Sequence, residues 1–157
     1  MTEQAGTRVV CSFEEAESLL GARKRMWSAG GDGLCVSFAA AAEELGAEQA
    51  RDGLARARGL RRVARFVLGA GGEPAGLCLG AEGCGCAPAG GDAARGRLVE
   101  LTHFEFCTAC GDCVPVCGFG ARWMACGDLE IARERCHGCG LCAEVCPELC
   151  VQMVARS

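Results

Sequence analysis

The chain has 157 residues, 50% of them hydrophobic and 5% aromatic, with no tyrosine and a formal net charge of −4. That length holds one or two small domains, and so mild an acidic balance argues against nucleic acid as the main partner. Aromatics this scarce leave a thin core of large side chains, so another tie must supply much of the stability, and 15 cysteines are on hand for it.

The opening Met1-Thr2-Glu3-Gln4 has no basic segment followed by an apolar run, and no apolar stretch is long enough to span a bilayer. The cysteines are therefore expected to sit reduced, in the cytoplasm; export on a partner's signal stays open. Residues 1–69 read as a mainly α-helical N-terminal region. Over 13–27, carboxylates come early (Glu14, Glu15, Glu17) and cations late (Arg23, Lys24, Arg25), the order a helix dipole favours. Ser12 suits the N-cap. Residues 29–33 read as a loop and 34–45 as a short alanine-rich helix. A longer helix is expected over 47–68, weakened or broken in its first part by Gly53 and Gly59. On that helix Leu60, Val63, Ala64 and Val67 share one side, and Arg51, Arg58, Arg62 and Arg65 the other. An arginine stripe is ordinarily a solvated face; the functional reading is a docking surface for an acidic partner.

Residues 70–97 are glycine-rich and read as an irregular linker or an additional metal-binding segment. They hold Cys78, Cys84 and Cys86 among glycines. With Cys35 or Cys11 as a fourth ligand, these thiols make a candidate third site for an iron–sulfur cluster or zinc. The plainer reading is reduced structural thiols.

Residues 98–157 carry the strongest signal. Cys107, Cys110, Cys113 and Cys117 read C-x2-C-x2-C-x3-C; Cys136, Cys139, Cys142 and Cys146 repeat it 29 residues later, with Pro147 following. A cubane cluster needs four converging thiolates, and three cysteines two residues apart can wrap one face of it from a tight, glycine-bearing loop. A zinc ribbon would use four of the eight and leave the others unexplained. A disulfide framework lacks a secretion signal to accompany it.

The two runs resemble the bacterial, clostridial-type dicluster 2[4Fe–4S] ferredoxin domain, over about residues 98–154. One departure is Gly118, where that family usually has proline; Pro147 keeps it. The resemblance implies that each fourth cysteine serves the other cluster: Cys107, Cys110, Cys113 and Cys146 hold one, and Cys136, Cys139, Cys142 and Cys117 the other. It also implies a strand–loop–short helix–strand fold in each half. Residues 98–106 would be an entry strand partnered by 151–154, and 122–124 and 129–131 a hairpin across Cys126-Gly127-Asp128. The fold class is thus α+β, a ferredoxin-like two-cluster domain behind a helical region. Cys150 reads as a small buried side chain, and His137 as an exposed modifier of cluster potential.

No Rossmann fingerprint, P-loop or Ser-His-Asp arrangement occurs, so independent catalysis is not expected. The implied function is electron transfer, as a ferredoxin-like subunit or dedicated partner of a larger oxidoreductase. With few fixed cations near the motifs, low potentials of roughly −400 mV are expected. The alternative is an iron–sulfur redox-sensing or interaction protein.

Overall fold

The structure, a computed structural model, describes residues 8–28, 35–38, 43–80 and 94–157. It divides into two units, Met1–Ala94 and Arg95–Ser157.

The first unit corrects the helical expectation. Its elements run β1 (Arg8–Cys11), α1 (Phe13–Gly21), β2 (Met26–Ser28), β3 (Val36–Ser37), β4 (Glu44–Leu45), α2 (Ala47–Gly59), β5 (Ala64–Leu68) and β6 (Pro74–Cys78). The strands form one antiparallel sheet in the order β1-β5-β6-β3-β2-β4. Helix α1 starts as expected. Ser12 Oγ accepts from Glu15 N–H, and Glu15 Oε2 accepts from Ser12 N–H, a reciprocal capping box. It stops at Gly21, six residues early, because the cations beyond it have tertiary partners. The Arg23 guanidinium lies 4.5 Å over the Phe38 ring and donates to the Pro74 carbonyl, and Arg25 pairs with Glu44 across β2 and β4.

Helix α2 runs unbroken through Gly53, since its buried stripe of Ala50, Leu54 and Ala57 outweighs the glycine cost of about 1 kcal/mol. It ends at Gly59 rather than at 68. Arg61 turns left-handed (φ 53°), with Arg62 N–H reaching back to the Ala57 carbonyl. The next residues alternate as a strand with a partner on each side, so no continuous arginine stripe forms. Pro74–Cys78, inside the segment expected to be irregular, is an inner strand of the sheet. Gly76 there is a packing requirement: a Cβ would stand 2.7 Å from the Val36 carbonyl oxygen of β3.

The second unit runs β7 (Leu98–Thr102), β8 (Arg122–Ala125), β9 (Asp128–Ile131), a 3₁₀ turn (Arg133–Arg135), α3 (Leu141–Val145) and β10 (Val151–Ala155). β7 pairs antiparallel with β10, Thr102 facing Val151, and β8 with β9, Arg122 facing Ile131. These are the two pairings the sequence suggests, although β7 ends at Thr102 rather than 106. Cys126 (φ 53°) and Gly127 (φ 89°) are both left-handed, which suits the tight turn of the hairpin.

Shifting the first half by 29 residues carries β8 onto β10 and most of β7 onto β9. The loops repeat as well. Left-handed residues fall at 109 and 138, at 111 and 140, and at 120 and 149. Helix α3 does not repeat. Glu144 N–H bonds the Gly140 carbonyl, but its counterpart is Pro115, which has no N–H to give to Gly111.

Candidate metal centre

The loops of the second unit bring eight cysteines to two cavities. Cys107, Cys110, Cys113 and Cys146 line one. Cys117, Cys136, Cys139 and Cys142 line the other. Each cavity takes three cysteines from one run and the last cysteine of the other run. Between them lies the apolar core of the unit, where Cys113 and Cys142 meet Leu129, Cys150 and Val151.

Backbone conformation sets how the loops face these cavities. Each C-x2-C-x2-C run has a left-handed residue just before and just after its middle cysteine: Ala109 and Gly111, then Gly138 and Gly140. Such alternation turns successive N–H groups inward and makes an anion-binding concavity. Leu141 N–H bonds Cys139, and the N–H groups of Glu148, Leu149 and Cys150 bond Cys146. Gly138 is also constrained by space: a Cβ would run into the Leu98 carbonyl. That carbonyl accepts from Arg156 Nη2 at 2.9 Å, which also donates to the Cys136 carbonyl at 2.8 Å, tying the chain end to the second loop.

Protonation follows from burial. Burial, with the neighbouring Cys117 and Cys136, pushes the Cys139 thiol up to about 11. Burial pushes Cys142 up to about 12, although the Arg122 cation pulls the other way. Both thiols are raised above their ordinary value of about 9, so the stability tied to them is complete below pH 9 and lost as pH rises through 11 to 12. Iron-free protein is therefore expected to show a urea midpoint that falls from pH 9 upward. Protein loaded with metal, whose ligands are already thiolates, should not show that fall over the same range.

A buried polar network lies beside the cavities, and it overturns the expectation that few fixed cations stand near the motifs. Arg122 and Glu100 each have side chains only 1% exposed. Arg122 Nη2 donates to Glu100 Oε2 at 2.5 Å and to Thr102 Oγ1 at 2.9 Å, and Nη1 donates to Cys113 Sγ at 3.3 Å. The Thr102 hydroxyl also donates to Glu100, and Arg133, half exposed, gives Glu100 a third partner at 2.9 Å. Burial works against the Arg122 charge, but Cys142, Cys113 and Glu100 around it outweigh burial and hold its pKa above the ordinary value. Arg122 lines both cavities.

Sequence reasoning missed this network, yet a signal was present. At the 29-residue offset, Glu100, Thr102 and Arg122 fall on Leu129, Ile131 and Val151. Polar groups standing where the other copy is apolar mark a special site. Cys150 is buried as expected, but it also lines the first cavity, 3.5 Å from Cys146 Sγ. His137 lines the second cavity and stacks on Phe119, with ring centroids 4.0 Å apart. Its Nδ1 lies 2.9 Å from the Arg135 carbonyl, which can only accept, so Nδ1 carries a proton.

In the first unit, Cys35 and Cys78 are buried with their sulfurs 3.7 Å apart. Val36 faces Leu77 in the sheet, which brings Cys35 opposite Cys78. Cys11 is buried too, but it pairs with Ala64 while Cys78 pairs with Arg65. Consecutive residues of β5 point to opposite faces, so the register sets Cys11 and Cys78 on different sides. Cys84 and Cys86 lie outside the described residues. Among the described residues, no three cysteine, histidine or carboxylate groups converge to hold a single metal ion. No helix among them is long and apolar enough to cross a membrane.

No curated protein and no solved structure matches the chain. The family model of a 4Fe-4S binding domain matches residues 129–152, from β9 through the second cysteine run into β10. The donors fit such a group: all are sulfur, and the loops around them bend N–H groups toward anionic sulfur. By family match, donor set and loop conformation together, residues 129–152 are similar to a 4Fe-4S binding domain of the ferredoxin type, which supports iron–sulfur binding in that segment.

Proposed function

We propose that the chain carries single electrons through two [4Fe–4S] clusters, as a ferredoxin-like subunit or dedicated partner of a larger oxidoreductase. The observation that carries this reading is the pair of cavities, each gathering three cysteines of one run and the last cysteine of the other, with Cys150 also in the wall of the first. Cys107, Cys110, Cys113 and Cys146 would hold one cluster, and Cys136, Cys139, Cys142 and Cys117 the other. When bound, such a cluster supplies a one-electron change with little movement of its ligands. The chain's own part is to hold it with thiolates, aim N–H groups at sulfur, and screen it with Val114, Leu141 and Val145.

A carrier needs only the second unit, so the separate core of the first supports a dedicated partner role. Phe104 and Phe106, 54% and 65% exposed just ahead of Cys107, are apolar surface suited to contact with a protein partner.

The test is iron, acid-labile sulfide and zinc per chain on anaerobically purified protein, followed by reductive titration. About eight irons, about eight sulfides and reversible reduction are expected. About four irons, or zinc in their place, would overturn the two-cluster reading. About twelve irons would add a third centre, for which Cys35, Cys78, Cys84 and Cys86 are the candidate ligands. Irreversible cluster loss on mild oxidation, with changed partner binding, would favour a redox sensor instead.

A further inference from the structure

The two halves of the second unit repeat much of their backbone, and two of their differences in chemistry lie against the cavities. Glu100, Thr102 and Arg122 stand where the other half has Leu129, Ile131 and Val151, and Cys150 stands where it has Ala121. The second half demonstrates that apolar side chains can pack these positions. Burying charges costs more than burying such side chains, so packing alone does not account for the network.

Both extra donors hydrogen-bond sulfurs of one set, although the Arg122 charge also acts on Cys142 of the other. Arg122 Nη1 donates to Cys113, and the Cys150 thiol faces Cys146, to which it donates once Cys146 is a thiolate. Cys113 and Cys146 both line the first cavity. The second cavity also has Arg122 in its wall, but there Glu100 lines it too and offsets the charge. The carboxylates bordering the first cavity, Asp112 and Glu148, are exposed and screened by water.

We propose that Arg122 and Cys150 set the two centres at unequal potentials, with the site of Cys107, Cys110, Cys113 and Cys146 reduced first. The proposal rests on the two-cluster reading above. A hydrogen bond to a ligand sulfur and a buried cation both favour the more negative, reduced state. An electron entering from an external one-electron reductant then comes to rest at the first site. If it enters by way of the second site, one electron leaves there and one arrives at the first, and no bond or proton changes hands. The chain thereby acquires a direction of transfer.

The experiment is a dithionite titration followed by EPR on the intact, iron-loaded protein. Wild type should show two one-electron steps. The variant Glu100→Leu, Thr102→Ile, Arg122→Val copies the other half and leaves no buried carboxylate unpaired. It should move the upper step down and narrow the gap by about tenfold in the equilibrium between centres, about 59 mV for one electron. Cys150→Ala, which copies Ala121, should move the same step in the same direction by less, and stands as an independent test should the triple variant fail to fold. Arg122→Lys keeps the cation without the fork and should fall between wild type and the triple variant. Full iron content with an unchanged gap would overturn the proposal, and so would movement of the lower step alone. Failure of the two-cluster reading would look different: wild-type protein holding well under about eight irons.

Discussion

Replacing Cys110 and Cys146 by alanine, singly and together, is expected to remove the same half of the iron each time. The two residues belong to different runs yet line one cavity. If each run bound its own cluster, Cys110→Ala would damage one site and Cys146→Ala the other, and the double variant would lose both. With crossed ligation the substitutions strike one site, so the double variant is no worse than either single. Residues that act on one shared unit depart from additivity in this way. Each variant should retain about four of about eight irons. The matching pair in the other cavity is Cys117 and Cys139, while Cys110 with Cys139 should empty both. Iron analysis of the seven variants decides the matter, and a Cys110, Cys146 double variant without iron would sink crossed ligation.

Gly138→Ala is expected to damage the second site, whereas Ala109→Gly at the equivalent place in the first loop should not. Both residues are left-handed, at φ 85° and 53°. An alanine there costs about 1–2 kcal/mol in backbone strain. The first loop bears that cost already, since alanine is its natural residue. At Gly138 the added Cβ would also run into the Leu98 carbonyl, and overpacking of this kind adds about 1–3 kcal/mol. The push would reach Cys136 through Arg156, which bonds both carbonyls. Gly138→Ala should therefore lose the iron of the second cavity and melt well below wild type. Ala109→Gly should keep all its iron and stay within about 1 kcal/mol of wild type. Iron content and thermal melts of the two variants test this, and a Gly138→Ala protein with full iron and an unshifted melt would contradict it.

The strand pairings of the second unit were largely legible in the sequence because the two cysteine runs repeat at one fixed offset. Cys126-Gly127 is a turn signal for any strand pair. The first unit was not. Residues 64–68 carry apolar groups that fit a helical stripe as well as a strand, and what decides is having β1 and β6 on either side, which no local window contains. Residues 13–27 had the right charges for a long helix, but the late cations were committed to Phe38, Pro74 and Glu44. The polar network escaped for the opposite reason. In Leu98–Thr102 alternation would put Val99 and Leu101 inside, whereas the structure buries Glu100 and Thr102. Only a partner as distant as Arg122 makes that burial tolerable.

The strand pairing of the second unit also bears on how such a fold can arise and assemble. β7 of the first half pairs with β10 of the second, and β8 with β9, so each half contributes one strand to each two-stranded sheet. A half on its own would have two bare strand edges and a cavity short of one thiolate. It would complete itself only against another copy, at whatever concentration the surroundings supplied. Joining the copies through the Cys126-Gly127 turn makes that encounter intramolecular, at an effective concentration on the order of millimolar for so short a link. The linkage also releases the halves from having to remain identical. Once each position occurs twice in one chain, a charge can be placed in one half and left out of the other.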